Sequence, residues 1–424
     1  MKKHTINFNN KQNLKIAYIH AISFPSTEAN TFDAIWSASA LSEKVDTTFF
    51  IPRIKNTIKK LKDYYEIKNS KLKIQSMHLN LIPDRVILKF KSTYEDLISL
   101  YLHYHPDWAK FKGLKILYVR EPRELLYWGL KREKNKWMKD WIFCYEAHDT
   151  LGLDPNFFVE AADSRKEPQL KDEKQTITLH AAQNFDIMIC NTQILADDMK
   201  VWSGYLLQPL VLTLASPLPR LEKPPKIIFG EKIVIGYIGT IDKFRGVDVL
   251  LDSIRLLPEN YSLRIVGRFR QEKGVDPNWL KKYTENPEIA SRLDINIVEQ
   301  IMDVAGEIDR CDILIQPASN DILDARYAAP LKSYGYMVRG KPIIAGDVQC
   351  HRDLFENGKD VLLYALTPKQ LANSIISLGS NPSFAEKIAF GAWEKSEYFT
   401  FTRKVNDFLS MVDHFNRSKT ILVK

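Results

Sequence analysis

The sequence predicts an α/β protein of two Rossmann-like, doubly wound domains, and three observations carry that expectation. A chain of 424 residues is too long for one compact core and suits two domains of about 200 residues each. Two segments open alike, each with a β-branched strand that runs through a turn into an amphipathic helix, as the first βα unit of a parallel sheet does. Between them, Ser216-Pro-Leu-Pro-Arg-Leu-Glu-Lys-Pro-Pro225 packs four prolines into ten residues, which favours an extended, semi-rigid connection.

The first opening strand is Leu14 to His20, followed by the turn Phe24-Pro-Ser-Thr-Glu-Ala-Asn30 and a helix from about Phe32 to Lys44. Apolar runs then predict strands at Thr47 to Ile51, Leu114 to Val119, Trp141 to Tyr145 and Ile187 to Cys190, with helical stretches between them. The second opening strand is Ile233 to Gly239, leading through Thr240 to Gly246 into a helix from Val247 to Leu257. Further strands fall at Ser262 to Val266, Ile295 to Val298, Ile313 to Gln316, Ile343 to Ala345 and Val361 to Tyr364. Pro330 suits the first turn of a helix that Gly340 and Pro342 stop after Arg339. A last helix, around Thr402 to Phe415, follows a Tyr-Phe-Thr-Phe segment. The expected boundaries are residues 1–215 for the first domain, 216–231 for the linker, 232–400 for the second domain and 401–424 for a terminal helix.

Composition narrows the class. Hydrophobic content of 45% and charged content of 26% are ordinary for a soluble globular protein. No run approaches the roughly 18 to 20 apolar residues of a spanning helix, and the start, MKKHTINFNNKQNLK, has no apolar core after its lysines, so a cytoplasmic protein is expected. Cys144, Cys190, Cys311 and Cys350 lie far apart, with neither a C-x-x-C pair nor zinc spacing, and read as reduced core residues. The net charge is +8, and residues 51–100 hold 11 Lys and Arg against 5 Asp and Glu. There Ile54, Ile58, Leu61, Tyr64 and Tyr65 recur at helical spacing among Lys55, Lys59, Lys60 and Lys62. Such a basic amphipathic helix either lies on an anionic membrane surface, with residues 53–73 as the peripheral contact, or packs its apolar edge on its own domain. No recognition motif accompanies the charge, so nucleic acid is not an expected partner.

Three stretches carry chemistry. Tyr327-Ala-Ala-Pro-Leu-Lys332-Ser-Tyr-Gly335-Tyr-Met-Val-Arg339-Gly-Lys-Pro-Ile-Ile-Ala-Gly-Asp347 reads as a loop, a helix, a stop and a buried strand. Lys332 falls in the first helical turn, where a cation gains nothing from the helix dipole and an acid would serve stability better. Gly236-Tyr-Ile-Gly-Thr-Ile-Asp-Lys-Phe-Arg-Gly-Val-Asp248 is a glycine-rich strand-to-helix turn with Arg245 beside it. Phe143-Cys-Tyr-Glu-Ala-His-Asp149 ends a strand with His148, either a satisfied structural group or a polar group offered to a ligand.

The 327–347 stretch resembles the donor-site signature of the retaining, metal-independent GT-B glycosyltransferases of family 4, in the branch written roughly Y-x-[SA]-P-L-K-x-[YF]-E-Y-M-x-x-G-K-P-I. Matches fall at Tyr327, Pro330, Leu331, Lys332, Tyr336, Met337, Gly340, Lys341, Pro342 and Ile343. Gly335 stands where the family usually has the Glu that holds the nucleotide ribose, and Tyr327 stands where many relatives carry a second Glu. The 236–248 stretch resembles the family's G-x-[GS]-x(4-6)-K-G, with Arg245 in place of Lys; a guanidinium can bridge two phosphate oxygens. Glu146-Ala-His148-Asp149 resembles the family's E-x-H-D.

The resemblance implies a GT-B fold, two Rossmann-like domains facing each other across a cleft, with the terminal helix crossing back to the first domain. It implies transfer of a sugar from a nucleoside-diphosphate sugar to a glycan or lipid-linked acceptor, with no cofactor and no metal. Gly239, Thr240, Arg245, Tyr327, Pro330, Leu331, Lys332 and Gly335 would bind the donor, and Arg245 and Lys332 would bear the diphosphate charge. His148 would meet the donor sugar, oriented by Asp149. The turn with Ser26, Thr27 and Asn30 resembles the P-S-x-x-A-N variety of polysaccharide-assembly transferases and would face the acceptor, or merely cap its helix. Arg120 would meet the acceptor or a phosphate, or pair with a carboxylate. Asp321 and Asp324 are the nearest acids that could replace the missing carboxylates. At Gly335 the absent side chain admits either a bulkier donor group or a close packing neighbour. The loss of both acids leaves two alternatives, an inactive GT-B partner subunit and a nucleotide-sugar epimerase of the same fold.

Overall fold

Runs rich in β-branched and aromatic residues, buried along most of their length in the central strands, build two parallel sheets. The computed structural model describes residues 13–22, 24–26, 28–52, 57–77, 94–148, 173–243, 245–270, 275–276, 278–299, 303–319 and 322–422, without the side chains at 173, 322–324 and 420–422. The first sheet contains β1 (Leu14–Ile19), β2 (Asp46–Ile51), β3 (Lys73–Ser76), β4 (Leu114–Val119), β5 (Ile142–Ala147), β6 (Ile187–Cys190) and β7 (Leu210–Val211). Its spatial order is β3-β2-β1-β4-β5-β6-β7. The second contains β8 (Ile233–Ile238), β9 (Tyr261–Gly267), β10 (Leu293–Ile297), β11 (Ile313–Gln316), β12 (Ile343–Gly346) and β13 (Leu362–Tyr364), ordered β10-β9-β8-β11-β12-β13. Every residue of β1, β5, β6, β11 and β12 is buried, as expected where helices cover both faces of a parallel sheet.

The chain divides into one unit of residues 1–213 with 401–424, and another of residues 214–400. In the first, Ile16 pairs with Ile116 and Tyr18 with Tyr118, and the two tyrosine rings stack at 4.6 Å. The terminal helix, Phe401–Leu422, adds Val405, Phe408, Leu409 and Val412 to this core, with Phe408 edge-on to Tyr118. It runs past Phe415 and lies within the 401–424 expected for a terminal helix. In the second unit the proline-rich stretch is tied down along its course. Ser216 N–H donates to Phe399 O, Leu221 N–H donates to Val338 O, and the Arg220 guanidinium lies 3.7 Å over the Trp393 ring.

The short strands β3 and β7 have no counterpart in the sequence reading, because half-exposed edge strands of four and two residues carry too little apolar pattern. The first helix begins at Ala29, ahead of the expected Phe32, and its N-cap is Glu28 with no side-chain cap bond. Ser26 and Asn30 therefore do not cap it; Ser26 Oγ accepts the Glu28 N–H at 3.2 Å within the preceding turn. The helix at Val247 ends at Ser253 and tightens into a 3-10 turn over Ile254–Leu256. Of the basic amphipathic stretch, Ile58–Tyr64 is helical; Leu61 and Tyr65 join the first core while Lys59 and Lys60 are exposed. Its start, residues 53–56, lies outside the described residues. Among the described residues no helix is long and apolar enough to cross a membrane.

Candidate functional site

In each sheet the chain order reverses once, between β1 and β4 and between β8 and β11. Helices leave adjacent strands in opposite directions there, and the carboxyl ends of the strands open a crevice that holds ligands in such folds. The sequence-predicted residues gather at these two points, one set in each unit.

In the second unit, β8 is followed by Gly239, whose N–H donates to Val266 O at 2.9 Å. The backbone runs so close to the next strand that a Cβ on Gly267 would lie 1.9 Å from Gly239 O. Gly246 heads the following helix with φ of 72°, and a Cβ there would meet Ala318 O at 2.4 Å. The helix Leu331–Val338 has Pro330 as its N-cap, so Lys332 falls in the first turn as expected. Its ammonium accordingly reaches back over the glycine turn. Lys332 Nζ donates to Tyr237 Oη at 3.1 Å and sits 4.7 Å above that ring, and a Cβ on Gly239 would lie 2.8 Å from Lys332 Cε. Tyr237 in turn donates to Thr240 O at 2.6 Å. Burial pushes its hydroxyl well above the usual range, so it remains a donor.

Arg245 is one-third exposed beside this turn; its N–H donates to Asp242 Oδ1 at 2.9 Å and its Nε lies 3.7 Å from Asp242 Oδ2. Tyr336 anchors the end of β8 from the Lys332 helix, accepting the Ile238 N–H at 3.0 Å. His351, on the helix after β12, holds the Gly346 carbonyl through Nδ1 at 2.7 Å. Burial, with Lys332 nearby, pushes its imidazole down to about 4. Tyr327 is buried, and Pro330 and Leu331 are half-buried at the head of the Lys332 helix. Gly335 is turned the other way. A Cβ there would find only Leu218 Cδ1 at 3.4 Å and Ile308 Cδ1 at 3.5 Å, which is ordinary contact within an apolar cluster. The geometry leaves room for a methyl at Gly335, so neither a close packing neighbour nor a donor group follows from it. Asp321 and the Asp324 side chain lie outside the described residues.

In the first unit, His20 follows β1, Arg120 follows β4 and His148 follows β5. Glu124, early in the next helix, accepts the N–H groups of Arg120 and Glu121 at 3.1 and 3.2 Å and pins the backbone at the end of β4. The Arg120 guanidinium is buried and wholly engaged. It pairs with Asp33 at 2.7 Å and Glu146 at 3.3 Å, and donates to Asn30 O at 3.1 Å and His148 Nε2 at 3.0 Å. Of the alternatives for Arg120, the pairing with a carboxylate is the one present. Lys404 enters from the terminal helix, 3.3 Å from Asp33 and 3.2 Å from Glu146. Asp33, Glu146 and His148 approach closely enough to ligate a cation, yet Arg120 and Lys404 already supply two positive charges against their two negative ones.

Since Nε2 of His148 accepts from Arg120, the ring proton belongs on Nδ1, which lies 3.3 Å from the Asn191 amide. With the Asn191 amide oxygen turned toward the ring, it accepts the Nδ1 proton. Burial first, then Arg120, lowers the His148 pKa, so the ring is neutral. Asp149, expected to orient it, lies outside the described residues, as does Thr27. Asn30 Nδ2 donates to Glu121 Oε1 at 3.3 Å, and Ser26 shares two 2.7 Å bonds with the Tyr65 hydroxyl.

Residues 232–381 match the family model described as glycosyl transferases group 1. No curated protein matches the chain significantly. Among solved structures, HepE of Anabaena in complex with UDP superposes with a TM-score of 0.66 at 13% identity, over 95% of this chain and 99% of that one. Sucrose-phosphate synthase of Thermosynechococcus elongatus gives 0.68 at 13% identity, over 96% and 100%. The lipopolysaccharide outer core galactosyltransferase WaaB gives 0.61 at 15% identity, over 94% and 99%. The fold is GT-B. Within this GT-B chain, sequence reasoning passed over Asp33, Asn191, Tyr237, His351 and Lys404. Tyr237 lies in the glycine-rich stretch without filling one of its glycine or cation positions, and Asp33, Asn191, Tyr237 and Lys404 are recruited by partners far along the chain, so spacing carried no signal.

Proposed function

We propose that the chain is a glycosyltransferase moving a sugar from a nucleoside-diphosphate sugar to a glycan or lipid-linked acceptor. One observation carries this reading: the Lys332 ammonium is held against the glycine turn of the second unit, where a departing diphosphate would need positive charge. The family match over residues 232–381 supports it, and the UDP held by HepE makes UDP the nucleotide to test first. Lys332 and Arg245 neutralise the diphosphate without a metal. Transfer retains configuration through front-face attack, with a diphosphate oxygen taking the acceptor proton. His148, neutral and braced by Arg120 and Asn191, packs beside the donor sugar, and the turn with Ser26, Thr27 and Asn30 meets the acceptor. The product belongs to a surface polysaccharide or glycolipid, assembled in the cytoplasm at the inner face of the membrane.

Calorimetric titration with UDP and GDP, and UDP-sugar turnover in EDTA, test this. The expected result is binding of UDP, weakened at least about tenfold in Lys332→Met and lost in Arg245→Ala, with UDP released from its sugar in the presence of chelator. Failure to bind either nucleotide favours an inactive partner subunit, and release of a free sugar epimer favours an epimerase.

A further inference from the structure

A free lysine side chain loses rotamer entropy when it is held in one place, so a site that relies on Lys332 gains by ordering it before the ligand arrives. Tyr237 is placed to do this. Its ring is fully buried in the second core, it lies on the central strand β8, and within the glycine-rich stretch it fills neither a glycine nor the cation position. The hydroxyl has one proton, and both of its hydrogen bonds have a fixed sense: it donates to Thr240 O at 2.6 Å and accepts from Lys332 Nζ at 3.1 Å. The same oxygen therefore joins the helix-borne ammonium to the backbone of the glycine turn. The ring contributes as well, since Lys332 Nζ stands 4.7 Å over its centroid. The empty Cβ position of Gly239 completes the seat, because a methyl there would sit 2.8 Å from Lys332 Cε.

We propose that Tyr237 is a positioning residue for diphosphate binding: it holds the Lys332 ammonium over the Gly239–Thr240 turn, so that the ligand meets a cation already in place. The inference rests on the donor reading above. Tyr237 acts through Lys332 and not on the ligand, so its effect must vanish when Lys332 is gone.

A double-mutant cycle on the full chain reads this, with UDP as the probe and thermal melts to fix a temperature at which every variant is folded. Tyr237→Phe keeps the ring and removes one oxygen. It is expected to raise the Kd for UDP about tenfold in the otherwise unaltered protein, the effect of one hydrogen bond to a charged group. In a Lys332→Met background the same change is expected to alter Kd less than about twofold. An equal effect in both backgrounds shows a structural role and overturns the proposal, as does an unchanged Kd in Tyr237→Phe while Lys332→Met binds weakly. If Lys332→Met binds UDP as tightly as the unaltered protein, or the unaltered protein binds none, the donor reading itself fails and this inference with it.

Discussion

At the scale of single residues, the backbone of the second unit is committed at some glycines and permissive at others. Gly246 has φ of 72° and a carbonyl oxygen where its Cβ would go, so Gly246→Ala is expected to cost more than about 1 kcal/mol in denaturant unfolding. Gly335 sits within a helix with ordinary contacts where its Cβ would go, so Gly335→Ala is expected to stabilise by about 0.5 to 1 kcal/mol and raise Tm. A lowered Tm would mean that position 335 tolerates no methyl. His351 makes a pH prediction. Its folded-state pKa, about 4, lies below the roughly 6.5 of an unfolded histidine. Between those values the unfolded chain binds a proton that the folded one refuses, so this residue's contribution falls as pH drops from 6.5 through 4, by roughly 3 kcal/mol. Urea titrations of His351→Gln should show a correspondingly flatter pH dependence. Lys332 was legible in the sequence because its motif is local and a cation at a helix start is unfavourable. Tyr237 was not, because an aromatic residue in an apolar strand looks like any other core residue until its hydroxyl's partners, 3 and 95 positions away, are known.

At the scale of elements, the terminal helix is an integral part of the first unit. Lys404 balances Asp33 and Glu146 inside a buried cluster where Arg120 supplies the other positive charge. Removing one cation leaves an uncompensated buried charge, so Lys404→Met is expected to cost roughly 3 to 5 kcal/mol, measured by chemical unfolding. The predicted positions of β4, β6 and β11 coincide with the observed ones residue for residue, since each is a short, mainly apolar run between turn signals. Helix starts were less legible. The first helix begins at Ala29 after a turn held together by the Tyr65 hydroxyl on Ser26, a contact between residues 39 apart that no local capping rule contains. Glu146 and His148 were visible as a strand end, but Arg120 read equally as a ligand group and as a buried ion pair until Asp33 was found opposite it.

At the scale of the whole molecule, two parallel doubly wound sheets were readable from the repeated strand-turn-helix openings at Leu14 and Ile233, because that unit is a local pattern used twice. The edge strands β3 and β7, and the packing of Arg220 and Leu221 onto the second unit, depend on residues distant in sequence and escaped the pattern. The fixed positive charge at the glycine turn is the feature on which the functional proposal stands. Its most direct measure is the affinity for UDP in EDTA of the unaltered protein and of Lys332→Met, by titration calorimetry at constant ionic strength. Saturable binding by the former and at least a tenfold loss in the latter are predicted; equal affinities, or binding that disappears when EDTA is added, would contradict diphosphate capture by protein cations.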